Sequence, residues 1–203
     1  MSKPKQAGGR PRDSRVDHAI ATAVRSLLDE HGYAALTVDA VAARAGVGKA
    51  AIYRRHSTKQ EMIFAVLLHD LDEEPPGDTG SLHGDIAALT RRIADQLAQA
   101  AAEVMVGLLA DIHADASLDA RFSGAYLAVE RSSIGTLLDR AVARGELPVR
   151  PDPVLVHVLL LGPLFAWQLM LNEDSARTPQ LAEMVARIVT EALTSGAVSP
   201  EAR

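Results

Sequence analysis

The chain has 203 residues, a net charge of −5 and 48% hydrophobic residues, enough for one or two folded domains with a sizeable core. It has no cysteine, which excludes disulfides and thiolate chemistry, and its first residues lack the apolar stretch of a signal peptide. We therefore expect a cytoplasmic protein.

The charge is divided unevenly along the chain. Residues 1–59 hold 11 Lys and Arg against 5 Asp and Glu, a net +6, so the other 144 residues carry −11. A basic first part attracts a polyanion, whereas an acidic remainder is repelled by it. The division favours nucleic acid as the partner of the first part, with a chance distribution of solvated charges as the alternative.

Residues 1–12 are rich in Lys, Arg, Pro and Gly, the composition of a flexible arm. Their side chains are candidates to contact phosphates or a minor groove, and a plain disordered tail is the alternative. The basic residues concerned are Lys3, Lys5, Arg10, Arg12 and Arg15. From Asp13, apolar residues at helical spacing predict a first helix that stops at Gly32. Its apolar side comprises Val16, Ile20, Val24, Leu27 and Leu28.

The stretch from Thr37 to His56 predicts two short helices joined by a tight turn. Thr37 is a good N-cap for the first helix, and Gly46 suits the left-handed conformation that ends it. Gly48 is an acceptable cap for the second helix. This is the pattern of a helix-turn-helix, whose second helix enters the major groove of DNA.

The second helix of this motif combines a small inner face with a basic outer face. The candidates for the inner face are Ala51, Ile52 and either Arg55 or His56. The outer face comprises Lys49, Ala50, Tyr53 and Arg54. Lys and Arg can bind phosphates or guanine, and the alanine methyl can touch a thymine methyl. A helical hairpin with solvated basic residues is the alternative.

The segment from Gly32 to Met62 resembles the DNA-binding domain of the TetR family of transcriptional regulators. The shared features are the threonine that opens the first helix, the turn glycine, the recognition-helix tyrosine and a lysine in the next helix. They are Thr37, Gly46, Tyr53 and Lys59. The resemblance covers about the first seventy residues. Gly48 stands where the family often has serine, and His56 where it usually has an aromatic ring.

We expect DNA to be contacted by the turn, the outer face and their flanks. The predicted DNA-binding residues are Thr37, Arg44, Gly48, Lys49, Ala50, Tyr53, Arg54, His56 and Lys59. Ser57 is the expected N-cap of a fourth helix with Lys59 in its first turn, where a cation opposes the helix dipole. A DNA phosphate would relieve that mismatch. The apolar side of this helix comprises Met62, Ile63, Val66, Leu67 and Leu71.

The Pro- and Gly-rich run from Glu73 to Ser81 is the clearest boundary. We predict an all-α fold with an N-terminal helix-turn-helix DNA-binding domain and a C-terminal helical domain for ligand binding and dimerisation. The predicted parts are a basic arm at 1–12, the DNA-binding domain at 13–72, a linker at 73–81, the helical domain at 82–195 and a tail at 196–203. Within the helical domain we expect a fifth helix at 82–99, a sixth at 101–115 that continues or follows it, and a long seventh at 117–146.

The stretch from Val154 to Leu171 is the most apolar, and its 18 residues reach the lower limit for a membrane span. We reject a span because the stretch contains His157 and Gln168 and no basic cluster marks one side. A buried helix shared between a core and a subunit interface is favoured, with an intrachain core as the alternative. Pro163 should kink this helix or start a new segment after Gly162.

The last helix is predicted from Pro179 to about Leu193. Its expected inner side comprises Leu181, Met184, Val185, Ile188, Val189 and Leu193. The TetR resemblance implies that the final two helices form a four-helix bundle with a second subunit. A palindromic operator independently requires a symmetric dimer, with recognition helices about 34 Å apart.

The resemblance also implies a small-molecule pocket in the helical domain. The candidate residues are Met105, Leu109, His113, Phe122, Tyr126, Glu130, His157 and Phe165. The histidines show no recognisable metal spacing, including His113 with Asp111 and Asp115, and no nucleotide-binding loop or nucleophile elbow is present. We therefore expect no enzyme activity, cofactor or metal. The favoured function is a dimeric repressor released by a small molecule; a ligand-independent regulator is the main alternative, and a small helical enzyme is the least favoured.

Overall fold

The computed structural model describes residues 14–67, 77–98, 101–171 and 173–198, without the side chains of residues 125 and 126. These residues form helices and no β-strand, which confirms the all-α prediction. The chain divides into two compact units, residues 1–59 and residues 60–203. The predicted basic arm, residues 1–12, lies outside the described residues, whereas Arg15, the further predicted DNA contact, is described and exposed.

The first unit contains three helices around a small apolar core. They are α1 (Ser14–Ala35), α2 (Val38–Ala45) and α3 (Lys49–Tyr53). Gly32 breaks α1 with φ of 73° and ψ of 178°, at the residue where the sequence predicts the helix to stop, and a short helical segment continues to Ala35. The core side chains are Ile20, Val24, Leu27, Leu28, Leu36, Val41 and Ile52. Predicted Val16 is half-buried at the edge of this set.

The fourth helix, α4 (Lys59–Leu67), contains the boundary between the two units, because only Lys59 belongs to the first. It begins two residues after the predicted cap Ser57. Of the predicted apolar side, Met62, Ile63 and Leu67 are buried and Val66 is half-buried, whereas Leu71 lies outside the described residues. Phe64, which was not predicted, is buried as well.

The second unit continues with α5 (Leu82–Ala98), α6 (Ala102–Ala114), α7 (Ala116–Phe122) and α8 (Ala128–Ala143). The backbone of Ala101 is extended, so α6 starts as a separate helix and does not continue α5. A π-helical turn at Ser123–Leu127 joins α7 to α8. The long seventh helix of the sequence analysis is therefore one helical stretch with a π-turn inside it.

The last two helices are α9 (Pro153–Phe165) and α10 (Thr178–Thr194). Asp152 caps α9 by accepting a hydrogen bond from Val154 N. The expected new segment after Gly162 is not observed: α9 runs through Pro163, and a π-helical turn follows at Ala166–Met170. Leu160 and Leu164 are fully buried on either side of the proline, and this packing holds the helix despite the lost backbone hydrogen bond.

Helices α5, α8, α9 and α10 supply most of the core of the second unit. The packed residues include Ile86, Leu89, Ile93, Ile134, Leu137, Leu138, Val156, Leu160, Leu164, Val185, Val189 and Leu193. Pro153–Met170 is long and apolar enough to cross a membrane. However, its buried side packs in this core, and α10 beside it exposes the charged residues Glu183 and Arg187. Only 22% of the stretch is buried, so we interpret it as a helix with one face in this core and the other face exposed.

The prediction for α10 was wrong at two residues. Met184 and Ile188 were placed on the inner side, but they are 44% and 56% exposed. The small residues Ala182 and Ala186 take the inner positions instead. On α9, which packs against α10, further apolar side chains are exposed. We define the α9–α10 apolar face as Val154, Leu155, Val158, Leu159, Met184 and Ile188.

A charged network joins the start of α5 to the end of α8. The Asp85 side chain is fully buried, and its carboxylate accepts hydrogen bonds from Thr79 and from Arg144 at 3.0 Å. Glu146 accepts a 2.7 Å hydrogen bond from Leu82 N, one of the free backbone donors at the N-terminus of α5. Although burial acts to raise the pKa of Asp85, its hydrogen bonds from Thr79 and Arg144 hold the pKa below its ordinary value.

Candidate DNA-binding surface and effector site

The turn between α2 and α3 is defined by backbone hydrogen bonds. Thr37 Oγ1 accepts a 3.1 Å bond from Ala40 N and caps α2 as predicted. Gly46 is left-handed with φ of 65°, and the next residue, Val47, donates to Ala42 O at 3.0 Å. Gly46 N also donates to Ala43 O at 3.3 Å, and the two hydrogen bonds form a Schellman motif, which directs the chain sharply away from α2.

The recognition helix α3 has one buried and one exposed side. Ile52 is 1% exposed and anchors the helix to the core, whereas Tyr53 is 53% exposed. Gly48 caps the helix without a side-chain bond. The predicted outer residues Lys49, Ala50 and Arg54 are all exposed. The structure therefore brings the four outer residues of the sequence analysis to one solvent-facing surface.

Lys49 has an intramolecular partner that the sequence did not indicate. Its Nζ lies 2.7 Å from Asp39 Oδ1 on α2, and the two side chains are 59% and 69% exposed. Hydrogen bonding to Asp39 raises the pKa of Lys49, so the amine stays charged. An ion pair as exposed as this contributes little to stability. The Lys49 amine can therefore leave the Asp39 carboxylate and bind a DNA phosphate at a small cost in free energy.

Arg44 is held more firmly. Its two terminal nitrogens each donate to a carboxylate oxygen of Glu30 at 2.7 Å, and Nη1 also donates to Ser26 Oγ at 2.6 Å. Hydrogen bonds from Arg44 and Ser26 lower the pKa of Glu30 to about 2. This bidentate pair connects α1 to α2. Arg44 thus orients the motif, whatever contact it makes with DNA.

Lys59 lies in the first turn of α4, as predicted, but its amine contacts α1. Nζ donates to Tyr33 O at 3.2 Å and lies 4.5 Å from the centre of the Tyr33 ring. An ammonium group has three donors, so this bond leaves others for a phosphate.

The inner face of α3 is occupied mainly by Ile52, one of the residues predicted for that position. Arg55 is half-buried and paired with Asp17, and His56 is half-buried too.

Comparisons with known proteins agree with this geometry. Residues 20–66 match the family model "Bacterial regulatory proteins, tetR family", and residues 76–189 match "Tetracyclin repressor-like, C-terminal domain". The chain belongs to the TetR family of transcriptional regulators. It is a DNA-binding regulator and not an enzyme.

Several relatives of this TetR-family chain have been described. It is 32% identical over 178 residues to the uncharacterized HTH-type transcriptional regulator YdeS of Bacillus subtilis, covering 87% of this chain and 89% of that protein. It is 33% identical over 148 residues to the DNA-binding transcriptional repressor TetR of Mycobacteroides abscessus, covering 71% of this chain and 77% of that protein. The solved structure of the TetR family transcription regulator SCO0332 has a similar fold, with a TM-score of 0.65, 23% identity and coverage of 92% and 100%.

The predicted effector residues of this TetR-family regulator are spread over the helices of the second unit. Met105 and His157 are buried; Leu109, Phe122, Glu130 and Phe165 are half-buried; His113 is exposed. The side chain of Tyr126 is outside the described part of the structure. Phe122 packs edge-on against Phe64, with ring centres 4.7 Å apart.

One small cavity borders the predicted effector residues. It has a volume of about 10 Å³ and is lined by Gln60, Glu61, Ile112, Leu118 and Phe122. A cavity of that size holds about one water molecule. Among the predicted effector residues whose side chains the structure describes, only Phe122 lines it.

Two residues of the set, Glu130 and His157, do lie in a common environment. Burial lowers the pKa of His157; the charge of Glu130 opposes this shift, and that of Arg131 adds to it. Glu130 also lies 3.8 Å from Arg92. Sequence reasoning missed both arginines, because helical spacing alone does not distinguish an inward-facing arginine from a solvated one.

The three acidic and histidine residues near position 113 have structural partners. Asp111 accepts a hydrogen bond from Gln60 at 2.9 Å. Asp115 caps α7 by accepting from Ser117 N and Leu118 N. His113 Nδ1 lies 3.1 Å from Leu109 O on its own helix. Each of the three residues therefore has a structural contact within the protein.

Proposed function

We propose that this chain is a cytoplasmic, homodimeric repressor that binds a palindromic DNA operator and is released from it by a small-molecule effector. The observation that carries the proposal is the exposed surface of α3, where Lys49, Tyr53 and Arg54 surround the small Ala50. Short side chains let the helix backbone approach the floor of the major groove, while the longer ones reach bases and phosphates.

Each predicted DNA-binding residue has a distinct role in this proposal. Tyr53 and Ala50 touch base edges, whereas Lys49 and Arg54 bind phosphate or guanine. The exposed Thr37 uses its hydroxyl oxygen for the cap and keeps its O–H to donate to a phosphate. Gly48 adds no side chain that would block approach. The flanking phosphate contacts come from Arg44, His56 and Lys59.

The α9–α10 apolar face supports dimerisation. It exposes six large apolar side chains on two helices that pack together. Contiguous exposed apolar patches are typical of protein–protein interfaces. A second copy of the chain, docked by a two-fold axis on the same face, would cover it and present two recognition helices to two half-sites.

Effector release is supported by a relative of the same fold. The structure of FadR from Bacillus subtilis, with a TM-score of 0.55 and 16% identity, is described as a complex with stearoyl-CoA. In our chain the effector site is proposed among Met105, Leu109, His113, Phe122, Tyr126, Glu130, His157 and Phe165. Binding there need only favour one conformation by about 1 to 3 kcal/mol to weaken DNA binding. The roughly 10 Å³ cavity beside Phe122 favours a second candidate, a regulator that needs no ligand.

Selection of bound fragments from random duplex DNA tests the operator, with the mass of the recovered complex giving its stoichiometry. We expect a palindrome bound by a dimer at about 150 mM salt, a concentration at which non-specific phosphate contacts are weakened. Enrichment of no sequence would overturn the proposal. Selection of an asymmetric DNA site bound by one chain would contradict the proposed dimer.

The interface is tested by Val158→Glu on α9, with Val106→Glu on α6 as the matched control. The two valines are 62% and 55% exposed, so both variants should fold. Only Val158 belongs to the proposed interface, where a buried, unpaired charge strongly disfavours association. Sedimentation should show a monomer for Val158→Glu and a dimer for Val106→Glu. Equal masses for the two variants would place the interface elsewhere.

A further inference from the structure

The second unit contains a small group of charged side chains between three helices. Arg92 on α5 lies 3.8 Å from Glu130 on α8, and these side chains are only 18% and 21% exposed. Arg131 follows on α8, and His157 on α9 is 8% exposed. We call these four residues the Arg131 cluster. Charges placed this far from water are costly unless they are paired.

Arg131 lacks a carboxylate partner among the described residues. Nε of Arg131 is buried and has no hydrogen-bond partner, and no carboxylate of the described residues forms an ion pair with this arginine. Glu130 is the one acidic member, against two guanidinium groups. His157 does not add negative charge, and burial favours its neutral form by lowering its pKa.

The surroundings of the cluster are apolar. Ile134, one helical turn after Arg131, and Leu160, one turn after His157, are both fully buried. In such surroundings a charge-assisted hydrogen bond is stronger than in water. A guanidinium group presents its donors in a planar fork that fits the two oxygens of a carboxylate. The cluster therefore has the chemistry to receive an organic acid within an apolar part of the second unit.

We propose that the effector of this regulator is a small organic carboxylate with an apolar body, and that Arg131 binds its carboxylate beside the Arg92–Glu130 pair. This inference rests on the proposed effector-gated function, since it names the class of effector. It also revises the site: Glu130 and His157 remain from the predicted set, and Arg131 becomes the principal ligand-binding residue. The carboxylate supplies the partner that Arg131 lacks among the described residues.

The experiment measures binding to the full chain by titration calorimetry, without DNA. The probes are benzoate, 3-phenylpropionate and octanoate, each paired with its primary amide, plus inorganic phosphate. The variants are Arg131→Gln and Glu130→Gln, with Arg91→Gln as the control because Arg91 is the exposed neighbour of Arg92. Circular dichroism and urea unfolding establish that each variant is folded.

We expect at least one acid to bind about tenfold or more tightly than its amide, because only the acid offers a charged acceptor. Arg131→Gln should abolish this preference, and Arg91→Gln should keep it. Glu130→Gln should increase the affinity for the organic acids, because it removes a competing carboxylate from the site. This variant therefore provides the test if Arg131→Gln does not fold. Equal affinity for acids and amides, no saturable acid binding, or an unchanged preference in Arg131→Gln would overturn the inference. Saturation by inorganic phosphate alone would overturn the carboxylate assignment.

Operator release is measured separately, so the two proposals fail in different ways. An acid that binds through Arg131 but leaves the protein on its operator would preserve the site and overturn effector gating. An amide or another neutral molecule that releases the operator would preserve gating and overturn the acidic effector.

Discussion

The ion pairs beside the DNA-binding surface of the first unit and the ion pair at the start of α5 in the second unit lie in opposite environments. In the first unit, the Lys49–Asp39 pair is more than half exposed on both sides, and the Arg44–Glu30 pair is 39% and 45% exposed. In the second unit, Asp85 is fully buried beneath Arg144. Exposed pairs keep their partners hydrated, whereas buried pairs have given up that hydration.

This difference matches what each unit has to bind. An exposed lysine or arginine can leave a carboxylate for a DNA phosphate, because water stabilises the carboxylate left behind. A buried pair such as Asp85–Arg144 cannot open without stranding a charge, so it maintains the helix packing. The Arg131 cluster is the exception within the second unit, since one of its cations is still unpaired among the described residues.

The strongest way to break this comparison is to remove one acid from each kind of pair. Asp85→Ala removes the acceptor of the two Thr79 hydrogen bonds, while Arg144 keeps Asp78 and Glu146 as partners, and we expect it to lower the free energy of unfolding by roughly 1 to 3 kcal/mol. Asp39→Ala should change it by less than about 0.5 kcal/mol. Urea unfolding measures both variants. Equal effects would show that burial does not separate the two classes of pair.

The next largest effect is expected on DNA binding. Tyr53→Ala should weaken operator binding by about 1 to 3 kcal/mol, the range for a good base contact. The fold and the dimer should be unaffected, because Tyr53 is 53% exposed. Fluorescence anisotropy measures the affinity, while circular dichroism and sedimentation report fold and mass. Tyr53→Phe isolates the hydroxyl. Loss of the dimer in Tyr53→Ala would assign Tyr53 to the protein core instead.

A smaller effect should appear in the pH dependence of stability. The pKa of His157 is lowered mainly by burial, so the folded protein binds a proton there less readily than the unfolded chain. The contribution of His157 is complete above its unfolded pKa, about 6.5, and is lost as the pH falls through the lower folded value. His157→Gln should therefore flatten the stability profile as the pH falls below about 6.5. His113→Gln, at an exposed histidine, should leave the profile unchanged. Identical stability profiles for the two variants would show that His157 does not cause this pH dependence.

The most local prediction concerns Glu30. Its pKa is held at about 2 by Arg44 and Ser26. The pair should be complete above the unfolded pKa of Glu30, about 4.3, and lost as the pH falls towards 2. In Arg44→Gln, the Glu30 carboxyl should titrate closer to its ordinary value, because the charged donor is gone. Carbon-13 NMR of the side-chain carboxyl measures both titrations. An unchanged midpoint would mean that Ser26 and His31, not Arg44, set the acidity of Glu30.

Sequence reasoning succeeded where a signal is contained in a few neighbouring residues. The Thr37 cap, the left-handed Gly46 and the buried Ile52 each follow from the chemistry of one short segment. The partners of the charged residues did not follow, because Arg44 meets Glu30 14 positions away and Arg144 meets Asp85 59 positions away. Such pairs depend on how helices pack, which local spacing does not specify.

The outer face of α10 shows a second limit of the sequence. Met184 and Ile188 fit the apolar period of the helix, yet they are exposed. Periodicity identifies the apolar side of a helix, but it does not show whether that side packs against the same chain or against another one.

The effector residues were chosen by residue type alone, so the inward-facing Arg92 and Arg131 were not found.

The central claim, that the exposed surface of α3 reads the operator, is tested most directly by cross-linking from position 53. Tyr53 is replaced by a photoreactive phenylalanine analogue, with the same replacement at Val149, which is 52% exposed on the second unit, as the control. We predict cross-links from position 53 to base edges at symmetric positions in both half-sites, and none from position 149. Cross-links confined to the sugar–phosphate backbone, or equal yields from the two positions, would contradict the claim that α3 reads the DNA sequence.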